Sequence, residues 1–97
     1  MGLADDCDEL QTLRALRDKR RLYDAEFDAL VHEYYKIAPA IVDAIDAMPD
    51  RKAIYADIYE NMVKPCYAMI KENRENEAVA LYTETVLQLK QRYFVAA

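Results

Sequence analysis

The stretch HEYYK, residues 32–36, begins like the HExxH motif of zinc enzymes. That motif needs a second histidine one helical turn after the first, so that two imidazoles face one metal ion. Lys36 occupies that position, and His32 is the only histidine of the chain. We therefore interpret His32 as a solvated surface residue. A di-iron bundle is excluded for the same reason, because it needs Glu-x-x-His pairs on two helices.

The chain has two cysteines, Cys7 and Cys66, which are too few and too far apart for a zinc signature. Cys66 lies on an apolar stripe, so we expect a buried thiol that packs as a small hydrophobic group. Carboxylates on both sides of Cys7 disfavour its thiolate. The alternative function is a thiol or metal site in which Cys7 and Cys66 act together with cysteines that this chain lacks.

Two pairs of carboxylates have the spacing of acid–base pairs: Asp43 with Asp46, and Glu72 with Glu75. Each pair lies on a predicted polar face near a helix end, where carboxylates are usually solvated. A catalytic carboxylate needs burial or a nearby charge that shifts its pKa, and the sequence indicates neither. We therefore predict no catalytic residue and no cofactor.

Tyrosine is unusually frequent, with eight residues and no tryptophan. Five tyrosines lie on or beside predicted apolar stripes: Tyr34, Tyr55, Tyr59, Tyr82 and Tyr93. We expect these rings to pack at the edge of the core with their hydroxyl groups directed outward. Two alternatives stay open, a tyrosine-rich contact surface and, less favoured, an enzyme with a tyrosine-lined pocket.

A basic run, RALRDKRR, stands out in a chain whose formal net charge is −5. Spacings of three and four place Arg14, Arg17 and Arg21 on one helical face. They either pair with carboxylates of the chain, including Asp18, or present a docking surface to an acidic partner. Internal pairing is the favoured interpretation. If a contact surface exists, we expect these arginines and Tyr35 to form it.

Composition narrows the classes of partner. The net charge of −5 disfavours the phosphate attraction on which nucleic-acid binders depend. No apolar window is long enough to span a membrane, and the first ten residues do not resemble a signal peptide. We expect a cytoplasmic protein with a protein partner, which could be a second copy of the chain, and no nucleic-acid or membrane partner.

The elements that must position these residues are predicted to be helices, because glycine occurs once and helix formers dominate the 97 residues. We predict an all-α fold: a compact antiparallel bundle of four main helices, two of them bent or split at Pro39 and Pro65. The bundle forms one domain over residues 1–97. Residues 1–5 are expected to be disordered or foreign to the native protein, and residues 94–97 to fray.

Caps and apolar stripes define the four helices. Asp6, Asp24 and Asp50 are the predicted caps of the first three. The second stripe keeps its phase through Pro39, which favours a bent helix, although a stop at Ile37 followed by a new helix is the alternative. The four stripes contain the following apolar residues: Leu10, Leu13, Leu16 and Leu22; Phe27, Leu30, Val31, Tyr34, Ala38, Ile41, Val42, Ile45 and Met48; Ile54, Ile58, Met62, Cys66, Met69 and Ile70; Ala78, Val79, Tyr82, Val86, Leu89 and Tyr93.

Four stretches occur in the order DDCDELQTLRALRD, EYYKIAPAIVDAI, IYADIYENMVKPCYAMI and EAVALYTETVLQLKQRY. This order resembles the helical domain of CFI-box C-terminal proteins of bacteria. The resemblance implies a compact α-helical domain without an established biochemical role. The Cys-Phe-Ile box that defines the family would precede Asp5, where MGLA stands instead. We expect a non-catalytic helical domain that serves protein interaction or an accessory role.

Overall fold

The computed structural model describes residues 8–94. In this range the chain forms α1 (Asp8–Arg21), α2 (Ala25–Asp46), α3 (Arg51–Ile58), a π-helical turn (Tyr59–Val63), α4 (Lys64–Lys71) and α5 (Glu75–Tyr93). The backbone stays helical on both sides of the π turn, so α3, the π turn and α4 form one continuous rod, the α3–α4 rod. The predicted all-α bundle of four main helices is confirmed.

Helix α2 runs without interruption through Pro39. The alternative of a stop at Ile37 is therefore wrong, and the unbroken phase of the apolar stripe is explained. Asp24 caps the helix as predicted, because its Oδ1 accepts a hydrogen bond of 3.1 Å from the backbone N–H of Phe27. Pro39 itself is exposed, so its ring stands on the solvent side of a helix that buries its opposite side.

The predicted irregularity at Pro65 takes the form of a π turn directly before it. Pro65 is the second residue of α4, where a missing backbone N–H is well tolerated. A π turn holds an extra residue, so the side chains within it depart from the angular spacing of a regular α-helix. Val63 is buried as a result, although the spacing of the third stripe does not include it.

The connections between the rods are short. Asp50 lies at the position before α3, as predicted, but its side chain makes no capping hydrogen bond. Asn73, in the connection to α5, has a φ of 60°. The predicted cap Asp6, the expected irregular start 1–5 and residues 95–97 of the expected frayed end 94–97 lie outside the described residues. Helix α5 ends at Tyr93, and the backbone N–H of Phe94 donates to the carbonyl of Lys90 over 3.0 Å.

The core draws on α1, α2, the α3–α4 rod and α5. Its main cluster contains ten buried residues: Leu13, Leu16, Phe27, Val31, Val63, Cys66, Ala78, Val79, Tyr82 and Val86. Three residues of the predicted stripes are exposed instead. Leu22 is 86% exposed because it lies in the turn after α1. Val42 is exposed on the second half of α2, and Met48 is exposed in the connection that follows α2.

Helices α2 and α5 run in the same direction where they pack. The rings of Phe27 and Tyr82 lie 5.6 Å apart, and further along both helices Lys90 pairs with Glu33. This arrangement places the second half of α2 beside the second half of α5. No helix within residues 8–94 combines the length and apolar character that a membrane span requires.

Candidate functional site: an arginine–tyrosine face beside a four-helix cavity

Three of the four predicted contact residues meet on the surface formed by α1 and α2. The guanidinium carbons of Arg17 and Arg21 each lie 5.5 Å from the centre of the Tyr35 ring. At this distance a guanidinium is attracted by the negative face of the ring. Tyr35 is 45% exposed. We call Arg14, Arg17, Arg21 and Tyr35 the arginine–tyrosine face.

Carboxylates hold the two arginines at the edges of this face. Nε of Arg17 donates to Asp18 over 3.1 Å, and Nε of Arg21 donates to Asp28 over 2.7 Å. Arg17 thus pairs with Asp18 of its own helix, and Arg21 pairs with a carboxylate of the neighbouring helix α2. Internal pairing and exposure on one face therefore occur together rather than as alternatives.

The sequence did not single out Arg20, which together with Lys19 makes the long-range contacts of the basic run. Its guanidinium donates to Asp24 over 2.9 Å, to Glu75 over 3.2 Å and to Asn76 over 2.8 Å. Lys19 Nζ lies 2.7 Å from the other oxygen of Glu75, and the hydroxyl of Tyr23 also donates to this carboxylate. We call these contacts the Glu75 hub.

The Glu75 hub changes the acidity of its central carboxyl group. Hydrogen bonds from Lys19 and Tyr23 stabilise the carboxylate and, with Arg20, lower the pKa of Glu75 to about 2 against the opposing effect of burial. Glu75 was predicted to be a solvated carboxylate, which is wrong: it is part-buried and joins the α1–α2 connection to the first turn of α5.

A cavity of about 310 Å³ lies beside the arginine–tyrosine face. We call it the four-helix cavity, because α1, α2, the α3–α4 rod and α5 all line it: Leu10, Leu13, Arg14, Arg17, Tyr34, Ile41, Val42, Ile45, Tyr55, Ile58, Met62, Tyr82, Thr85, Val86 and Leu89. Ile41 and Ile45 are buried here, outside the main core cluster. Arg14 and Val42 are exposed and mark the opening.

Three tyrosines line the cavity, and all three are held protonated. Burial raises the pKa of Tyr34. Burial, together with the hydrogen bond to Asp46, raises the pKa of Tyr55 to about 12. Burial also raises the pKa of Tyr82 to about 12, against the opposing positive charge of Arg17. Tyr34 and Tyr55 are part-buried, as predicted for rings at the edge of the core, whereas Tyr82 is buried in the main core cluster. All three rings also line the cavity.

Cys66 is fully buried and donates its S–H to the carbonyl oxygen of Ala78 over 3.4 Å. Burial raises the pKa of the Cys66 thiol to about 11. A metal ligand must be a thiolate, so this position opposes the alternative thiol or metal site. Cys7 lies outside the described residues. Within residues 8–94, no group of three or more His, Cys, Asp and Glu side chains is placed to hold a metal ion.

The other candidates lie on the surface. His32 and Asp43 are exposed, as predicted. Asp46 accepts a hydrogen bond of 2.8 Å from the Tyr55 hydroxyl, and Glu72 accepts one of 2.8 Å from Arg74. These two carboxylates therefore serve structural contacts near helix ends.

Comparison with known proteins adds no assignment: no family model matches the chain, and no curated protein or solved structure matches it. The resemblance to CFI-box C-terminal proteins therefore stays a prediction.

Proposed function

We propose that this chain is a non-catalytic helical domain that docks an acidic segment of a partner protein on its arginine–tyrosine face. The observation that carries the proposal is the placement of Tyr35 against both Arg17 and Arg21. Tyrosine and arginine are the residue types that most often dominate protein interfaces. Here they share one surface, on which Tyr35 is exposed and Arg17 and Arg21 are part-exposed, in a chain whose net charge is −5.

The contacts around Tyr35 also reduce the cost of binding. Arg17 is already held by Asp18 and by the ring, and Arg21 by Asp28 and by the ring. Ordering a free arginine side chain at an interface costs about 0.5–1.5 kcal/mol. A guanidinium that is positioned before the partner arrives avoids part of this cost and keeps several N–H groups for a carboxylate.

The titratable side chains of the four-helix cavity are poorly suited to acid–base catalysis, which supports the proposal of a non-catalytic domain. These side chains, among the described residues, are arginines and tyrosines, and the pKa values of Tyr34, Tyr55 and Tyr82 are all raised. A general base works best when its pKa lies near the working pH. These phenols are far from that range, so they serve as hydrogen-bond donors.

The test compares two double variants of the full chain. Arg17→Glu with Arg21→Glu reverses the charge of the face, and Arg51→Glu with Arg92→Glu reverses two exposed arginines elsewhere. Proteins cross-linked to the chain in its native cell are identified, and one is purified for direct binding. We expect the first double variant to weaken binding by about tenfold or more, because hot-spot residues contribute about 2 kcal/mol or more each.

The matched control decides whether the effect is specific. The Arg51 and Arg92 variant should bind within about twofold of the unaltered chain, since rim and surface charges contribute about 0–1 kcal/mol. Equal weakening by both double variants would show general electrostatics. A large fall in Tm with intact binding would show that Arg17 and Arg21 hold the bundle together, and the docking role would be dropped.

A further inference from the structure

We propose that the four-helix cavity is a binding site for a small apolar carboxylate, a molecule with a hydrocarbon body and one carboxylate group. This inference does not depend on protein docking. The volume of about 310 Å³ lies at the lower end of the ~300–1,000 Å³ range of small-molecule sites. A water molecule occupies ~30 Å³ of liquid, so the cavity accepts a ligand of about ten heavy atoms.

The deep part of the cavity suits a hydrocarbon body. Ile41 and Ile45 are almost completely buried, and Leu13 and Val86 are buried beside them. Burial of apolar ligand surface contributes roughly 25 cal/mol per Å² before the cost of association. A ligand here would fill the space that separates Ile41 and Ile45 from the main core cluster.

One end of the cavity carries the positive charge that a carboxylate needs. Arg14 and Arg17 belong to the lining, and the side chain of Arg17 is only 20% exposed. Asp18 receives the Nε–H of Arg17, whereas a guanidinium has five N–H groups in a planar fork. This fork matches the two oxygens of a carboxylate, and partial burial strengthens the resulting hydrogen bonds.

The polar groups near Arg17 favour an anion over a cation or a neutral ligand. Tyr82 is adjacent to Arg17 and stays protonated, with a pKa of about 12, so its O–H can donate. No carboxylate belongs to the described lining. Asp46, which accepts a hydrogen bond from the hydroxyl of the lining residue Tyr55, is not itself part of the lining. A single carboxylate suits a lining that contains two arginines and no acidic side chain among the described residues.

The probe is decanoate, a ten-carbon carboxylate, added to the ¹⁵N-labelled full chain below its aggregation concentration and followed by ¹H–¹⁵N NMR. We expect saturable shifts at the amides of Ile41, Ile45 and other cavity residues. Decanol, which has the same body without the charge, and decyltrimethylammonium, which has the opposite charge, should each bind at least about tenfold more weakly, because a hydrogen bond to a charged group contributes about 1.5–3 kcal/mol.

Two variants and one control test the site itself. Arg17→Gln should weaken decanoate binding by about tenfold or more, whereas Arg92→Gln, the same change at an exposed arginine outside the cavity, should not alter it. Val42→Trp places a bulky ring at the opening and should abolish the cavity shifts while Arg21 and Tyr35 are kept. If Val42→Trp still binds a protein partner with unchanged affinity, the four-helix cavity and the arginine–tyrosine face act as separate sites.

Several results would overturn the proposal. Absence of saturable binding, shifts that lie outside the cavity, or equal affinity for decanoate and decanol would each do so. Unchanged decanoate affinity in Arg17→Gln would show that the arginine does not recognise the carboxylate. Each variant is first checked by far-UV circular dichroism and by its NMR spectrum, and an unfolded Val42→Trp would be replaced by Val42→Phe.

Discussion

Asn73 has a conformation that few residue types accept. Its φ of 60° lies in the left-handed region, directly after the end of α4. The backbone N–H of Arg74 donates to the carbonyl of Met69 over 2.8 Å, and that of Asn73 donates to Ile70 over 3.1 Å. These are the two bonds of a Schellman motif, which satisfies carbonyl groups at a helix end. Glycine and asparagine suit this position because the left-handed region costs them least.

We therefore predict opposite effects for two substitutions at Asn73. Asn73→Gly should leave the free energy of unfolding unchanged or raise it, whereas Asn73→Val should lower it by about 1–2 kcal/mol, because a β-branched side chain clashes in this conformation. Urea unfolding followed by circular dichroism measures both. A Val variant as stable as the Gly variant would mean that the motif does not persist in solution.

The buried thiol leads to a second prediction at this scale. The pKa of Cys66 is raised to about 11, above the ordinary value of about 8.5, so its thiolate should be scarcer by about 300-fold in the folded chain. In a Cys7→Ser background at pH 8, iodoacetamide should label native Cys66 at least that much more slowly than the chain in urea. The protonated thiol stabilises the fold below the unfolded pKa of about 8.5, and this stabilisation should be lost as pH rises from there towards 11.

Labelling of native Cys66 at the rate measured in urea would contradict a buried thiol. Cys66→Ala supplies the packing control, because it removes the sulfur and its contact with Ala78. We expect it to lower the free energy of unfolding by about 1 kcal/mol without a change in the far-UV spectrum.

Residue types alone predicted part of the candidate site. The choice of Arg17, Arg21 and Tyr35 followed from spacing and chemistry, and the structure brings these three together. The sequence did not indicate that Tyr35 lies between both arginines, because that depends on how α1 and α2 pack. The exposure of Val42 at 42% was missed for the same reason: a hydrophobic stripe does not show where the neighbouring helix ends.

At the scale of elements, the π turn is the feature that helical periodicity could not predict. It occupies Tyr59–Val63 inside an otherwise α-helical rod. A π turn is the form that an α-helix takes when it accommodates one extra residue without changing the faces on either side. The predicted stripe passed through this region because Ile58 and Cys66 both face inward, and Val63 was missed because the extra residue rotates it into the core.

The extra residue held by the π turn predicts the effect of a deletion there. Removal of Asn61, an exposed residue of the turn, should convert it to regular α-helix while α3 and α4 keep their faces. We expect the free energy of unfolding to change by less than about 1 kcal/mol, since a surface residue is lost and α-helical hydrogen bonds are restored. Chemical denaturation measures the change, and amide hydrogen exchange across residues 58–66 reports the new hydrogen bonds.

The matched control is deletion of Ala80, which is also exposed but lies in the regular helix α5. No π turn exists there to absorb the loss, so Tyr82 and Val86 would rotate away from the core. We expect a loss of several kcal/mol, since displacement of one large buried side chain costs about 2–5 kcal/mol. Similar losses for both deletions would show that the π turn is not a removable insertion.

The helices themselves were largely predictable, and the reason is physical. Each stripe repeats every three or four residues, and the caps and breaks separate one stripe from the next. The stripe of α2 kept its phase at Pro39, and the structure has one helix there. Leu22 was assigned to a stripe wrongly because periodicity does not show that α1 ends at Arg21, one residue earlier.

At the scale of the whole molecule, the Glu75 hub joins segments that the sequence separates widely. Arg20 and Glu75 are 55 positions apart, and neither residue type nor spacing indicates that they meet. Their contact follows from the topology, which brings the α1–α2 connection to the start of α5. The charges also complement the helix dipoles. The basic residues Lys19 and Arg20 lie in the last turn of α1, and the acidic Glu75 lies in the first turn of α5.

The hub predicts how stability depends on pH. The pKa of Glu75 is lowered to about 2 in the folded chain, whereas an unfolded glutamate has a pKa of about 4.3. A carboxyl group of this kind stabilises the fold above its unfolded pKa, and this stabilisation is lost as pH falls from about 4.3 towards 2.

Glu75→Gln should therefore be less stable than the unaltered chain at pH 7, by an amount on the order of 1 kcal/mol for a part-exposed network. The difference should shrink steadily below pH 4.3 and vanish near pH 2. Glu60→Gln is the matched control, since Glu60 forms an exposed ion pair with Lys64 one helical turn away, and its effect should be small at every pH. Urea unfolding between pH 2 and pH 8 measures all three proteins. A Glu75→Gln difference that stays constant across this range would show that the carboxylate charge contributes nothing and that the hub stabilises the bundle through packing alone.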